Sequence, residues 1–388
     1  MSGGEAGVAA GTSLWRVPAM RALVGVTVLG FASFFLTLAS LPTYAVLGGT
    51  PEATAGVVTT VFLLVTIAVQ AAVPVLSQRF GQQRVLIAGL LAMGLPSPLY
   101  AVDDGLGWLC ALSAVRGAGF AVLTVLGSTL AAQVAPVERR GESIGLYGLA
   151  IAVPSLIAVP AGVALVLDGH PAWLSWLAAS PVLGVLFVPT LARAIGPARA
   201  AAAATGSSRT AARAALAPSL LLFGVTLAGG GLVTFLPIER PEGAVATAAL
   251  LLYGVTAALT RWRAGLLADR PGRTWLLPAA VGLTAAGIAI LGLGLLTGWV
   301  GILAGAAVFG AGYGATQNLT LLAAFARAGE GGTTAASATW NASFDAGTAT
   351  GALVLGFLAA GLGLSWTYLL VGGLLALTVP LAVRGSRR

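Results

Sequence analysis

Thr260–Leu277 reads TRWRAGLLADRPGRTWLL, and Val69–Leu86 reads VQAAVPVLSQRFGQQRVL. The two stretches align without a gap at an offset of 191 (260 minus 69), which sets Arg270 on Arg79 and Gly272 on Gly81. Farther along, VRGAGFA at 115–121 falls on VFGAGYG at 308–314, an offset of 193 (308 minus 115). Two matches at nearly one offset describe a duplicated unit. Repeated halves related by an axis along the membrane normal are a transporter architecture, with the substrate held between them near the midplane.

The chain around these repeats is apolar. Of its 388 residues 58% are hydrophobic and 8% charged, and the mean hydropathy is +0.96. A soluble domain carries about 25% charged residues, so the solvent for most of this chain is lipid. In hydrocarbon every backbone polar group needs an internal partner, which leaves helices or a closed barrel. A barrel shows segments of roughly 10 residues alternating apolar and polar, and the apolar runs here are far longer. They fit helices of about 20 residues. The runs predict twelve transmembrane helices at 21–45, 53–77, 84–101, 106–133, 143–166, 173–194, 217–237, 243–263, 274–296, 299–325, 335–360 and 364–383. The fold class is therefore an all-α membrane protein of two pseudo-symmetric six-helix bundles. Residues 1–194 form the first bundle, 195–216 a linker that is part helical along the membrane surface, and 217–388 the second bundle.

Charge placement tests the map. Every one of the 20 basic residues is Arg. With twelve spans, 18 of them fall on one face, Arg240 falls on the other, and Arg116 lies inside a span. The positive-inside rule makes the Arg-rich face cytoplasmic, with both termini on it, and the Ala, Gly and Arg bias of the composition points to a bacterial plasma membrane. The +8 net charge then reflects topology and the anionic inner leaflet, and nucleic acid is not an expected partner. The absence of Lys removes any P-loop, and with it ATP binding of that kind. Cys110 and His170 are each the sole residue of their type, so no disulfide within the chain and no Cys/His metal site is expected. No cofactor is implied. The stretch Met1–Val17 lacks the layout of a secretory signal.

The arrangement resembles the major facilitator superfamily over essentially the whole chain. That superfamily carries G-x-L-A-D-R-x-G-R-R after spans 2 and 8. The second half matches it closely with Gly265, Leu267, Ala268, Asp269, Arg270, Gly272 and Arg273. The first half keeps Arg79, Gly81 and Arg84 but has Pro74 for the Gly, Gln78 for the Asp, and Gln82 and Gln83 for the basic pair. Arg116-Gly117-Ala118-Gly119 looks like the span-4 Arg/Gly motif of proton-coupled members, and Glu138–Glu142 like the usual loop between spans 4 and 5. Pro154, Pro160 and Gly162 resemble a degraded form of the span-5 motif of antiporters. The resemblance implies a monomeric permease of the drug or metabolite:proton antiporter group.

Three residues carry most of the expected mechanism. Asp269 is placed to latch the Arg-rich face against the start of span 5, near Arg139, Arg140 and Ser143, because a helix N-terminus favours negative charge; the alternative is a solvated loop carboxylate. Arg116, deep in span 4, costs roughly 2.5–3.5 kcal/mol there on insertion scales and needs a partner. It is either a proton-relay or substrate-facing Arg, or an Arg tied to backbone carbonyls. Asp345 is the only carboxylate deep in a span, with Asn341 one turn before it on the same face. Burial favours a neutral carboxyl and an adjacent cation favours the anion, so a carboxylate alternating between such surroundings can carry a proton. The alternative is a structural hub with Asn341. Spans 1, 4, 7 and 10 line the cavity in the superfamily. On them Phe34, Phe35, Thr37, Tyr44, Thr124, Thr226, Thr234, Tyr313, Gln317 and Asn318 are the expected lining. Apolar walls with few polar groups suit an amphipathic ligand.

The leading expectation is proton-driven export of a small apolar or amphipathic compound. Uptake or facilitated diffusion of a metabolite is the alternative. A membrane enzyme needs an acid-rich site, and the only adjacent acids, Asp103 and Asp104, lie in an outer loop. The repeated loop motif speaks against a non-transporting sensor.

Overall fold

A computed structural model describes residues 13–205, 208–239 and 244–386. Among them eleven helices are long and apolar enough to cross a membrane, and a bent pair makes a twelfth. We number them α1 (Pro18–Leu47), α2 (Val57–Gln70 continued by Val73–Phe80), α3 (Gln82–Ala101), α4 (Leu106–Val134), α5 (Val137–Leu167) and α6 (Pro171–Gly196). The second half comprises α7 (Ser208–Glu239), α8 (Ala244–Ala268), α9 (Leu276–Thr297), α10 (Trp299–Ala328), α11 (Glu330–Leu362) and α12 (Leu364–Val383). The expected helix count is present. The helices run longer than the apolar stretches alone suggest, because polar residues at their ends continue the backbone hydrogen bonding. The expected linker is one place where this shows. Helix continues past the break at Gly196 to Thr205, and α7 starts at Ser208 instead of 217.

The duplication is visible in the turns. Gly81 and Gly272, matched by the offset of 191, both adopt left-handed backbone conformations, with φ of 83° and 76°. Only glycine takes that geometry without steric cost, and in both halves it reverses the chain between the second and third helix of the bundle.

The halves differ one turn earlier. The two pieces of α2 meet at 54°, immediately after Gln70. Pro74 supplies no N–H for the Gln70 carbonyl, and its ring crowds that carbonyl, which breaks a helix. In the second half the matched residue is Gly265, and α8 runs through it unbroken.

The two bundles meet along α5 with α8, and along α11 with α2 and α4. The first seam is a glycine contact. A side chain at Gly141 would collide with the Gly265 carbonyl, one at Gly145 with the Trp262 backbone, and one at Gly148 with the Arg261 side chain. Small residues let helices approach backbone to backbone. The seam between α2, α7 and α11 is looser. A groove of about 570 Å³ runs there between Ile67, Ala71 and Val75 on one wall and Ala338, Ala342 and Ala346 on the other.

The apolar core shows which end is shut. Near the Arg-bearing end one cluster joins both halves, bringing Leu130, Ala131 and Ile144 together with Leu321, Phe325 and Trp340. Toward the other end the clusters separate by half. Leu41, Val58, Tyr100 and Leu109 pack within the first, and Leu232, Leu236, Leu291 and Ile302 within the second. The protein is closed on its Arg-bearing face.

Candidate functional site

The closure begins at the loop after α8. The Asp269 carboxylate accepts two hydrogen bonds from the N-terminus of α5, Oδ1 from Gly141 N at 2.7 Å and Oδ2 from Glu142 N at 2.8 Å. Those amides have no intrahelical partner, and the macrodipole favours an anion there. Burial pushes the Asp269 carboxyl up from its ordinary value, while the two amides and nearby Arg139 pull it back. Asn318 adds a second tie, donating from Nδ2 to the Gly141 carbonyl at 3.3 Å and to the Arg261 carbonyl at 2.9 Å. At the rim Arg140 pairs with Glu330 at 3.3 Å, and Gln82 Nε2 donates to Thr334 Oγ1 at 3.3 Å.

The first-half counterpart is not a mirror image. Gln78 is exposed and donates to Ser208 Oγ at 2.7 Å, at the start of α7. Arg79 is exposed, with its guanidinium 5.3 Å from the Phe80 ring. Arg270, Gly272 and Arg273 are exposed in the loop, whereas Gly265 is buried against α5.

Deeper in the membrane a polar ladder crosses from the first half to the second. Gln70 Nε2, at the α2 bend, donates to Asp345 Oδ2 at 2.7 Å and to Thr124 Oγ1 at 3.3 Å. One turn toward the Arg-bearing end, Asn341 Nδ2 donates to Ser128 Oγ at 3.1 Å and to the Ser337 carbonyl at 2.9 Å. Ser128 and Ser337 bond to each other, and Ser337 Oγ donates to the Val125 carbonyl at 2.7 Å. Asp345 and Asn341 thus share a face as expected, but they do not form one hub. Each reaches across to different residues of the first half.

Arg116 is fully buried and far better satisfied than a cavity residue. Its Nε donates to the Met93 carbonyl at 3.0 Å, Nη1 to Thr37 Oγ1 at 3.0 Å and Tyr100 Oη at 3.3 Å, and Nη2 to Ser33 Oγ at 2.8 Å and the Ser33 carbonyl at 3.3 Å. The Tyr100 ring lies 5.3 Å from its guanidinium carbon. All these partners are neutral and belong to α1 and α3 of the same half. The structure does not bring Arg116 to Asp345; two of its five acceptors are backbone carbonyls and three are side-chain hydroxyls.

The expected cavity residues divide. Phe34 stacks on Phe120 at 4.3 Å and on Phe62 at 5.4 Å, with Phe35 beside it at 5.0 Å. Tyr44 lies in the outer cluster of the first half. Thr226 is buried and donates to the Phe223 carbonyl of its own helix at 3.2 Å. In the second half Tyr313 packs on Tyr253 at 5.3 Å. Gln317 Oε1 accepts from Arg261 Nη1 at 2.8 Å. Gln317 and Asn318 therefore serve the α5–α8–α10 junction.

Two participants were not evident from the sequence. Gln70 reads as an ordinary polar residue near a helix end. Arg261, assigned to the Arg-rich face, is instead buried inside α8, which runs on to Ala268. The signal was in the repeat itself, since the offset of 191 sets Arg261 on Gln70 (261 minus 191). No cluster of metal-binding side chains occurs among the described residues.

Comparison with known proteins agrees with this architecture. Residues 22–338 match the Major Facilitator Superfamily. The uncharacterized MFS-type transporter Rv1250 of Mycobacterium tuberculosis is 33% identical over 91 residues, 24% of this chain and 16% of that protein. A probable 4-methylmuconolactone transporter of Cupriavidus pinatubonensis is 29% identical over 152 residues, 38% of this chain and 36% of that protein. The matched stretches thus span well under half the length of these relatives. Among solved structures, the E. coli fucose:proton symporter FucP superposes with a TM-score of 0.74 at 17% identity, covering 97% of this chain and 100% of that one. The human organic anion transporter MFSD10 superposes at 0.73 with 18% identity, covering 96% and 100%. These two likenesses show the fold. The family match extends from α1 into α11 and covers most of the chain, and the protein belongs to the Major Facilitator Superfamily.

Proposed function

We propose that the protein is a proton-coupled secondary transporter that moves a small, largely apolar or amphipathic molecule by alternating access between its two bundles. The observation that carries this reading is Asp345. It is a carboxyl inside the membrane, held across the bundle interface by the neutral amide of Gln70, with no cation within ion-pair distance among the described residues. An ionisable residue at such depth is costly and functional by default. Its hydrogen bond joins two elements that must part when the Arg-bearing face opens, so protonation and opening are linked.

In this reading the Arg-rich face and both termini are cytoplasmic in a plasma membrane, and the structure is the outward-facing state. Asp345 then takes a proton from outside and yields it inside. Export by antiport is the direction the span-4 and span-5 motif resemblance supports. Uptake or facilitated diffusion of a metabolite is the second reading, and the likeness to a probable 4-methylmuconolactone transporter fits it as well. Asp269 acts as the latch, and the aromatic walls around Phe34 and Tyr313 hold the cargo.

Retention of a panel of apolar dyes by cells with and without the protein, before and after a proton uncoupler, tests the proposal. Expression-dependent exclusion that the uncoupler abolishes supports export. Uncoupler-sensitive accumulation supports uptake, and insensitivity to the uncoupler removes proton coupling.

A further inference from the structure

The two buried arginines differ in a way that points to a ligand. Arg116 spends all of its nitrogens on five protein acceptors. Arg261, only 8% exposed, makes one side-chain hydrogen bond, from Nη1 to Gln317. Its buried Nε has no acceptor, and no carboxylate lies within ion-pair distance among the described residues. A guanidinium carries five donors, and an unpaired charge at this depth is costly. Gly148 leaves the room the guanidinium occupies, since a side chain there would collide with it.

The duplication shows that this neighbourhood has been altered as a group. Four positions of the first half, taken with the offsets of 191 and 193, map onto four in the second: Gln70 onto Arg261, Phe62 onto Tyr253, Phe120 onto Tyr313 and Thr124 onto Gln317. At each one the second half holds a more polar or more strongly hydrogen-bonding side chain. The four converge. Arg261 bonds Gln317, and Tyr313 packs on Tyr253. Tyr313 lies one turn before Gln317 on the same helix. In the first half the matching phenylalanines lie 5.4 Å apart in an apolar cluster.

We propose that Arg261, with Gln317 and Tyr313 beside it, is the anchor for an anionic group on the transported molecule, and that the substrate class is a small carboxylate with an apolar body. A planar guanidinium with free donors matches a carboxylate in shape and charge, and the Tyr253–Phe309–Tyr313 cluster offers the apolar wall. This inference rests on the proposed transport function and names the cargo of that same site.

The full-length protein in nanodiscs, titrated with 1-naphthoate, 1-naphthamide and 1-naphthylmethylammonium and read by quenching of tryptophan fluorescence, tests it. Naphthoate is expected to bind at least tenfold more tightly than the amide or the ammonium compound. Arg261→Gln should erase that preference, and Arg263→Gln, exposed two residues along the same helix, should leave it unchanged. If Arg261→Gln is not recovered folded, Arg261→Lys keeps the charge without the planar fork and should weaken naphthoate at least threefold. Equal binding of the three compounds, no binding of naphthoate, or a preference that survives the Arg261 variants overturns the proposal. Proton-driven transport of an uncharged compound that needs Asp345 but not Arg261 leaves the transport function standing and overturns only the anion site.

Discussion

Gln70 and Asp345 stand 275 residues apart in the chain and 2.7 Å apart in the fold, one in each half, with the amide of the first donating to the carboxyl of the second. The bond sits at the break in α2 that Pro74 imposes. A hinge in the backbone and a titratable group therefore meet at one point of the interface.

Removing the donor should loosen that point. Gln70→Leu is expected to shift the equilibrium away from the form closed on the Arg-bearing face by about 1 kcal/mol, the net worth of one hydrogen bond. Spin labels at Val137 and Arg273, in a Cys110→Ser background, report the distance across that face. An unchanged distance distribution would show that the bond carries no conformational weight.

The latch is a separate lever. Asp269→Asn keeps one side-chain acceptor but turns the other oxygen into a donor facing a backbone N–H of the α5 N-terminus, and a buried hydrogen bond abandoned in this way costs about 1–3 kcal/mol. The same labels should show a larger open fraction. The pH dependence has a definite sign. Burial raises the carboxyl in the latched form, so between the ordinary carboxylate value and the raised one the latched form binds more protons than the released form. Its advantage from this group falls as pH rises through that window and is constant above it. A latched fraction that grows with pH through that window contradicts this assignment.

The glycine seam should be intolerant of any side chain. Gly265→Ala places a methyl against the Gly141 carbonyl, and overpacking of this kind costs about 1–3 kcal/mol. The variant should populate the released form and transport more slowly. Gly282→Ala, where a side chain meets open space, is the matched control. Equal behaviour of the two variants would mean the close approach is not needed for closure.

Arg116 is expected to behave as a structural tie. Arg116→Gln abandons several buried acceptors, each costing about 1–3 kcal/mol when left unpaired, so the thermal midpoint and the yield should fall. The molecules that do fold should keep pH-driven transport. A stable variant with pH coupling lost would restore the relay role to Arg116.

The sequence made the frame legible because its signals are periodic and long. Twelve apolar runs, an Arg bias that alternates with them and a loop repeated at one offset all concern the chain as a whole. Asp269 was legible for a related reason, since pseudo-symmetry points the loop after α8 at α5. The interior of the site was not legible, because it depends on helix register and on helices distant in sequence. Nothing near Asp345 in the chain indicates Gln70, and the acceptors of Arg116 come from Ser33, Thr37, Met93 and Tyr100. Arg261 was hidden by its neighbour. Two arginines flank Trp262, and only the fold shows that one turns inward while Arg263 lies exposed over the Trp262 ring.

Proton coupling through Asp345 is tested most directly in proteoliposomes that hold the purified protein and a fluorescent apolar carboxylate, with a pH gradient imposed across the membrane. Wild-type protein should move the compound only when the gradient is present. Asp345→Asn should fold, bind the compound and exchange it between the two sides at equal pH, while losing all gradient-driven accumulation. Full gradient-driven transport by Asp345→Asn would contradict the assignment of Asp345 as the proton carrier.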